Sequence, residues 1–329
     1  MKHLFLLAIL TVLGFQSCNV GTTSTWQDDN IEPSLKNEIE MLDKKVLEAV
    51  TTNNSELLKS IMSDKLLEKS GDNINQLLEQ AGNVFTTTDY KILNQFQVKN
   101  LTTGIGNTVL SGISGLNDYI IHYQALNEEM FISILIPKSA YEEFIITNIY
   151  GKYQDGWKLN ILQFGQYKID GQTAPELYSK ANNKFDKGYL VDAANTMFLC
   201  SQVANPANKF WQYQKEDEMK ALQETIMKSV NVEYSFPLTL EKVDSKPKFL
   251  TIYPKGIQEG YFPMVEYLTN IDLKDTAATK LENNQIHDLI GQIFNGIDKD
   301  KKYIFYKALS EMPDGKIPVP TYGFVKELK

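Results

Sequence analysis

The stretch Tyr153-Gln154-Asp155-Gly156-Trp157-Lys158-Leu159 joins two long segments that are rich in β-branched and aromatic residues. Asp-Gly between two such segments is a strong signal for a tight β-hairpin, because the turn favours residues that tolerate a positive φ. The flanking segments, residues 144–153 and 157–169, are therefore predicted to be adjacent antiparallel strands.

Upstream of this hairpin the sequence predicts three more strands and, before them, helices. Residues 84–98, 108–126 and 130–136 have the composition of strands. Further towards the N-terminus, Ile39 and Val46 belong to an apolar series with helical spacing that follows Pro33-Ser34, and two shorter helical segments come after it. Helices followed by a run of antiparallel strands predict an α+β domain over residues 33–171.

This order of elements, with Gly-Trp-Lys-Leu at residues 156–159, resembles the NTF2-like (cystatin-like) α+β fold. The resemblance covers roughly residues 33–171. It implies a curved sheet that wraps the helices into an open cone, which can hold a ligand, a catalytic pair or nothing. NTF2-like enzymes such as ketosteroid isomerases and scytalone dehydratase place Asp or His in the cone to move protons.

The segment Asp118-Tyr119-Ile120-Ile121-His122-Tyr123-Gln124 contains the candidate ligand-binding residues. Alternation along a strand places His122 on one face, and Tyr119 and Tyr123 on the other. In a binding module these three side chains contact the ligand. Alternatively, His122 transfers protons together with an acid such as Asp89, although no local spacing couples it to a carboxylate, or it is a half-exposed histidine without a chemical role.

Residues 172–230 are predicted to form a helical bridge. Its side chains resemble a single tetratricopeptide unit, in which Ala194 lets two helices approach and aromatic residues fill the space between them. The residues at the matching positions are Tyr178, Ala181, Asn182, Phe185, Ala194, Phe198 and Pro206. Because three or more repeats are usually needed for a free-standing array, a structural bridge is favoured over a peptide-binding groove.

Residues 231–329 predict a second, small α+β domain, for which we recognise no family. The first strand-like segment covers residues 232–243. A helix with Leu281 and Ile290 on its apolar face crosses the predicted sheet. Asp275-Thr276-Ala277 matches the short O-glycosylation pattern of secreted Bacteroidetes proteins, with Thr276 as the acceptor. The alternative is that Asp275 or Thr276 caps the helix that follows.

The N-terminus predicts export and membrane attachment. Lys2 and His3 precede an apolar run over residues 4–15 that is too short to span a bilayer, which is typical of a secretory signal peptide over residues 1–18. Ser17-Cys18 resembles the lipobox of bacterial lipoproteins, in which the new N-terminal cysteine is diacylated and its amine is then acylated. This resemblance implies a lipid anchor at Cys18, and the polar residues 19–32 predict a flexible tether.

Composition limits the remaining possibilities. The chain has a net charge of −8, which disfavours nucleic-acid binding, and its cations are all lysine. Beyond the predicted signal peptide only His122, His287 and Cys200 have imidazole or thiol side chains apart from Cys18, so a metal site is not predicted, and neither is a cofactor. The composition resembles that of Bacteroidetes lipoproteins, which implies the outer membrane of a Gram-negative bacterium, at its periplasmic face or at the cell surface.

No catalytic constellation emerges from the sequence. The predicted function is therefore a lipid-anchored cell-envelope protein that binds a small-molecule ligand or an envelope protein without catalysis. Two alternatives remain open: an NTF2-like proton-transfer enzyme of the isomerase or dehydratase type that uses His122, and an accessory scaffold lipoprotein of an envelope assembly.

Overall fold

The computed structural model describes residues 24–71, 73–138 and 143–328, and within these ranges the protein belongs to the α+β class, as the sequence predicts. Cys18 lies outside the described residues. The helices are α1 (Pro33–Thr51), α2 (Ser55–Ile61), α3 (Asp64–Ser70), α4 (Asn73–Gly82), α5 (Ala174–Asp186), α6 (Leu190–Gln202), α7 (Glu216–Glu233) and α8 (Thr276–Ile293). No helix within the described ranges is both long and apolar enough to cross a membrane.

The strands form three separate sheets in the described part of the chain. The first sheet has the order β1-β2-β5-β6-β7, the second β3-β4-β8 and the third β13-β12-β11-β10-β9. The strands are β1 (Ser24–Gln27), β2 (Tyr90–Lys99), β3 (Gly106–Leu110), β4 (Tyr119–Gln124), β5 (Glu129–Pro137), β6 (Phe144–Tyr153), β7 (Gly156–Gln166), β8 (Trp211–Tyr213), β9 (Leu238–Thr239), β10 (Lys248–Ile257), β11 (Gly260–Leu268), β12 (Tyr303–Leu309) and β13 (Thr321–Glu327).

The first sheet is antiparallel throughout and is built around the hairpin that the sequence predicts. Tyr153 pairs with Gly156, and Gly156 has a φ of 121°, which only glycine adopts readily. One face of the sheet packs on α1, α2 and α4 through side chains such as Val46 and Phe131. The other face packs on the second sheet and on the helical bridge, for example through Ile132 and Ile149. The first sheet is therefore buried on both faces.

Strand β1 lies within the stretch that the sequence assigns to a flexible tether. Ser24–Gln27 pairs antiparallel with β2, so that Ser24 faces Lys99, and Nε2 of Gln27 donates to the carbonyl oxygen of Ser111 at 3.1 Å. The tether prediction is corrected from Ser24 onward, because a polar strand gains its stability from a distant partner that local composition does not show.

The predicted strand over residues 108–126 is a hairpin that belongs to the second sheet. Its two strands are β3 and β4, and the loop between them is closed by the backbone N–H groups of Ser114 and Gly115, which donate to Oδ2 of Asp118 at 2.9 and 2.6 Å. The third strand is β8, which the bridge contributes through Trp211–Tyr213.

The bridge contains the predicted helical hairpin, α5 and α6, followed by α7. The two helices pack against each other, with Ala181 and Ala193 buried in the core to which both contribute and Ala194 partly buried beside it. Phe198, which the tetratricopeptide spacing places between the helices, is instead 50% exposed, because Met197 and Cys200 occupy the inner face of α6. The prediction for Phe198 is therefore wrong.

The third sheet packs one face against α8. The predicted strand over residues 232–243 is wrong: α7 continues to Glu233 and only Leu238–Thr239 pairs with β10. Leu281 is also 61% exposed, because the buried side of α8 is the line that includes Glu282, Ile286 and Ile290. An apolar pattern alone misplaces this face because three of its inward positions, Thr279, Glu282 and Asn283, are polar.

Candidate functional site

A cleft of about 760 Å³ opens beside the first two sheets, and we call it the main cleft. Its walls come from α3, from β3 and β4, from the central part of β7 and from the turn that precedes β8. It is lined by Ser63, Lys65, Leu66, Lys69, Gly106, Asn107, Thr108, His122, Tyr123, Gln124, Leu126, Asn160, Ile161, Leu162, Gln163, Lys209 and Phe210.

His122 presents its ring at the wall of the main cleft. It pairs with Thr108 across the β3–β4 hairpin, and its Nε2 lies 2.8 Å from Oε1 of Gln212 on β8. A neutral amide is thus the hydrogen-bond partner of the ring. This hydrogen bond fixes the orientation of the imidazole, and it involves Nε2 of the ring, not Nδ1.

The two tyrosines predicted with His122 lie on the opposite face of β4, and both are buried. The hydroxyl of Tyr119 donates to Oδ1 of Asn94 at 2.6 Å, and its ring stacks on Trp211 with a centroid distance of 3.6 Å. Tyr123 borders the main cleft, but its hydroxyl donates to Oδ1 of Asn100 at 3.0 Å in the interior. Burial raises the pKa of the Tyr123 hydroxyl to about 12. The structure therefore does not bring the three candidates together as one polar surface.

The acid considered as a partner for His122 lies elsewhere. The carboxylate of Asp89 accepts from Nζ of Lys138 at 3.0 Å on the surface, and Asp89 does not line the main cleft. A neighbouring hollow that also reaches His122 includes Glu216, whose carboxylate accepts from Nζ of Lys220. Sequence spacing could not identify Glu216, because it is 94 positions away from His122 in the chain and is brought near only by the pairing of β8 with β4.

The lining of the main cleft reverses the charge of the rest of the chain. It contains Lys65, Lys69 and Lys209, and no aspartate or glutamate occurs among the described residues that line it. Lys65 and Lys69 are four residues apart on α3, so they lie on one side of that helix. Lysine and amide side chains supply hydrogen-bond donors, while Phe210 and the leucines supply an apolar surface.

A buried carboxylate between α1 and the first sheet is an ionisable group that the sequence does not single out. Asp43 is fully buried, and it accepts hydrogen bonds from Ser133, Asn148 and Tyr150 at 2.7, 2.7 and 2.8 Å. Burial raises the pKa of Asp43 to about 6 against the opposing effect of these donors. The signal in the sequence is its position four residues after Ile39, on the apolar side of α1.

The other candidate residues of the sequence, Asp275, Thr276, His287 and Cys200, lie in the bridge and in the C-terminal domain. Asp275 caps α8 by accepting from the N–H of Ala278 at 3.0 Å, which confirms the helix-cap alternative; Thr276 is the exposed first residue of α8, and its glycosylation stays a prediction. Nδ1 of His287 lies 2.8 Å from the Tyr306 hydroxyl. Cys200 is buried, which raises the pKa of its thiol to about 12. Within the described ranges, His, Cys, Asp and Glu do not cluster in threes that could hold a metal ion.

Comparisons with protein-family models, with curated proteins and with solved structures each find no match to this chain.

Proposed function

We propose that this protein is a lipid-anchored cell-envelope protein that acts as a non-catalytic ligand-binding module, with the main cleft as its binding site. The observation that carries the proposal is the lining of that cleft: His122, amide side chains and lysines, with no carboxylate among the described lining residues. Its volume of about 760 Å³ falls in the usual range of small-molecule sites, roughly 300–1,000 Å³.

The chemistry of the lining supports a polar ligand that carries negative charge. Lys65, Lys69 and Lys209 attract an anion in a protein whose net charge is −8, and Asn107 and Gln163 add amide groups that can donate or accept. Phe210 offers an aromatic surface to an apolar part of the ligand.

The proposed anchor at Cys18 supports a location close to the membrane. Strand β1 begins at Ser24, so five residues, 19–23, separate Cys18 from the fold. A chain of this length spans at most about 20 Å, at about 3.6 Å per residue. Two or more acyl chains hold a protein on a bilayer stably, whereas one chain is marginal. The N-terminal α+β domain over residues 33–171 remains, in this proposal, an NTF2-like domain.

A blocking substitution tests the site. Thr108 is exposed, lines the main cleft and pairs with His122, so Thr108→Trp places a large ring in the opening. Leu110→Trp is the matched control, because Leu110 is exposed on the same face of the same strand but does not line the cleft. The full-length proteins are purified from native membranes, and small molecules released from them are identified by mass spectrometry. The wild type and Leu110→Trp carry a ligand that Thr108→Trp lacks; an equal load on all three proteins contradicts the proposal.

The hollow that contains both His122 and Glu216 supports a second candidate, a proton-transfer enzyme that uses His122. An enzyme is distinguished from a binding module if the wild type converts the recovered ligand chemically and the His122→Ala variant does not. The same purification also tests the alternative of an envelope scaffold, which is expected to co-purify with a stoichiometric protein partner and without a small molecule.

A further inference from the structure

Another cleft, of about 490 Å³, lies between the helical bridge and the C-terminal domain, and we call it the bridge cleft. One wall is the side of α5 together with the start of α6. The opposite wall is the turn between β10 and β11 and the segment before β12. It is lined by Asp170, Lys180, Asn183, Lys184, Lys187, Tyr189, Asp192, Glu259, Gly260, Tyr261, Phe262, Lys299, Asp300 and Lys301.

Three lysines at the C-terminal part of α5 line the bridge cleft. Lys180 and Lys184 are four residues apart on α5, and Lys187, which caps the C-terminus of the helix, follows Lys184 by three residues, so all three lie on the same side. Lys180 and Lys187 are exposed, whereas Lys184 is half-buried. The three ammonium groups therefore line one wall, with the central one withdrawn from solvent.

A buried cluster next to this wall has one more positive charge than negative charge. Asp192 is 3% exposed, and its Oδ2 lies 3.6 Å from Nζ of Lys184 and accepts a hydrogen bond from Nζ of Lys301. One carboxylate thus faces two ammonium groups. An uncompensated charge is costly in a poorly solvated position, so an additional anion stabilises this arrangement.

The two lysines of the cluster differ in their free hydrogen-bonding capacity. Nζ of Lys301 also donates to the carbonyl oxygens of Gly296 and Lys299, at 3.0 and 2.8 Å, which uses all three of its donors. Nζ of Lys184 donates to Oγ1 of Thr196 at 3.0 Å and pairs with Asp192. Lys184 therefore keeps a donor for a ligand. Burial lowers the pKa of Lys184, and the neighbouring Lys301 and Lys180 lower it further, which an anion would reverse.

The carboxylates of the lining limit where an anion can sit. Glu259 is occupied by Lys302, which donates to its Oε2, and Asp170 and Asp300 are exposed at the rim. Glu259 and Asp300 belong to the C-terminal domain, together with Lys299 and Lys301, whereas Asp170 precedes α5 in the chain. Lys184 is the half-buried lysine of the lining that keeps a donor, so the anion belongs next to Lys184.

We propose that the bridge cleft binds a small ligand through an oxyanion, a phosphate or carboxylate group, held by Lys184 between Lys180 and Lys187. The tyrosine and phenylalanine side chains of Tyr189, Tyr261 and Phe262 surround the remaining volume and suit an organic portion of the ligand. Because its walls come from two parts of the chain, a bound ligand stabilises the association of the bridge with the C-terminal domain. This site is separate from the main cleft and does not depend on the function proposed for it.

Inorganic phosphate and citrate are the probes that test this site, added to the full-length protein in detergent at constant ionic strength and followed by calorimetry. We expect saturable binding of at least one probe at millimolar concentration. The double variant Lys180→Gln/Lys187→Gln changes only exposed side chains and keeps the fold, and Lys184→Gln removes the central donor. Each is expected to weaken binding by about tenfold or more, as loss of a charge-assisted hydrogen bond does.

Two controls separate this site from general attraction and from the main cleft. Lys228→Gln removes an exposed lysine of α7 that lines neither cleft, and it is expected to leave the affinity unchanged. Lys65→Gln/Lys69→Gln removes two lysines of the main cleft, and the binding component that is lost in Lys184→Gln is expected to persist in it. Absence of saturable binding by both probes overturns the proposal. Equal weakening in Lys228→Gln, or loss only in Lys65→Gln/Lys69→Gln, overturns it as well.

Discussion

The hydroxyl of Tyr150 donates a hydrogen bond to Oδ1 of Asp43 at 2.8 Å, and both side chains are fully buried between β6 and α1. Ser133 and Asn148 complete the set of donors around this carboxylate. An acid placed in such surroundings binds its proton more tightly in the folded protein than in the unfolded chain, so it links stability to pH.

We expect the Asp43→Asn variant to lose a component of pH-dependent stability. The pKa of Asp43 rises from its ordinary 3.8 to about 6 in the folded state, mainly through burial. Between about pH 4 and about pH 6 the unfolded chain has lost this proton while the folded protein retains it, so stability falls as the pH rises. The loss amounts to roughly 3 kcal/mol, at about 1.4 kcal/mol for each pKa unit.

Urea unfolding at a series of pH values measures this component as the difference between wild type and Asp43→Asn. Asp89→Asn, at an exposed carboxylate, is the control and keeps the slope of the wild type. If Asp43→Asn retains the full wild-type slope between about pH 4 and about pH 6, Asp43 does not bind its proton as the structure requires.

Gly165 is expected to tolerate no side chain. It lies on β7, where a Cβ atom would come within 1.9 Å of the carbonyl oxygen of Pro206 in the bridge. Gly165→Ala therefore forces the bridge away from the first sheet, and we expect it to lower the free energy of unfolding by about 1–3 kcal/mol. Gly106→Ala is the control, because its Cβ would meet open space. Equal denaturation midpoints for the two variants would argue against this close approach.

How far the sequence predicts this structure depends on how local the determining contacts are. The hairpin at Asp155-Gly156 is confirmed, because the turn chemistry and both strands are contiguous. Strand β1 and strand β8 are missed, because each is short and is stabilised only by a partner far away in the chain. The main cleft is missed for the same reason: α3, β4, β7 and the turn before β8 meet only in the folded protein, and His122 and Tyr123 are the lining residues that the sequence singles out.

Trp211 is expected to be the side chain that holds the second sheet to the protein interior. It is buried, stacks on Tyr119 at 3.6 Å and contacts the rings of Tyr167 and Tyr213 edge-on. We expect Trp211→Ala to cost about 3–5 kcal/mol in chemical denaturation, as large-to-small changes of buried aromatic residues do. Trp26→Ala is the matched control: Trp26 is 36% exposed on β1 and should cost much less. Similar losses in the two variants would contradict a central role for Trp211.

The proposed lipid anchor predicts that Cys18→Ser leaves the membrane without unfolding. The thiol of Cys18 is the proposed acylation site, and the described residues have no helix that could hold the protein in a bilayer. Labelled palmitate should enter the wild type and not the variant, and the variant should fractionate with soluble protein at an unchanged denaturation midpoint. Cys200→Ser is the control, because that thiol is buried and donates to the carbonyl oxygen of Ala174 at 3.2 Å, so it should remain acylated and membrane-bound. Membrane retention of Cys18→Ser would rule out Cys18 as the anchor.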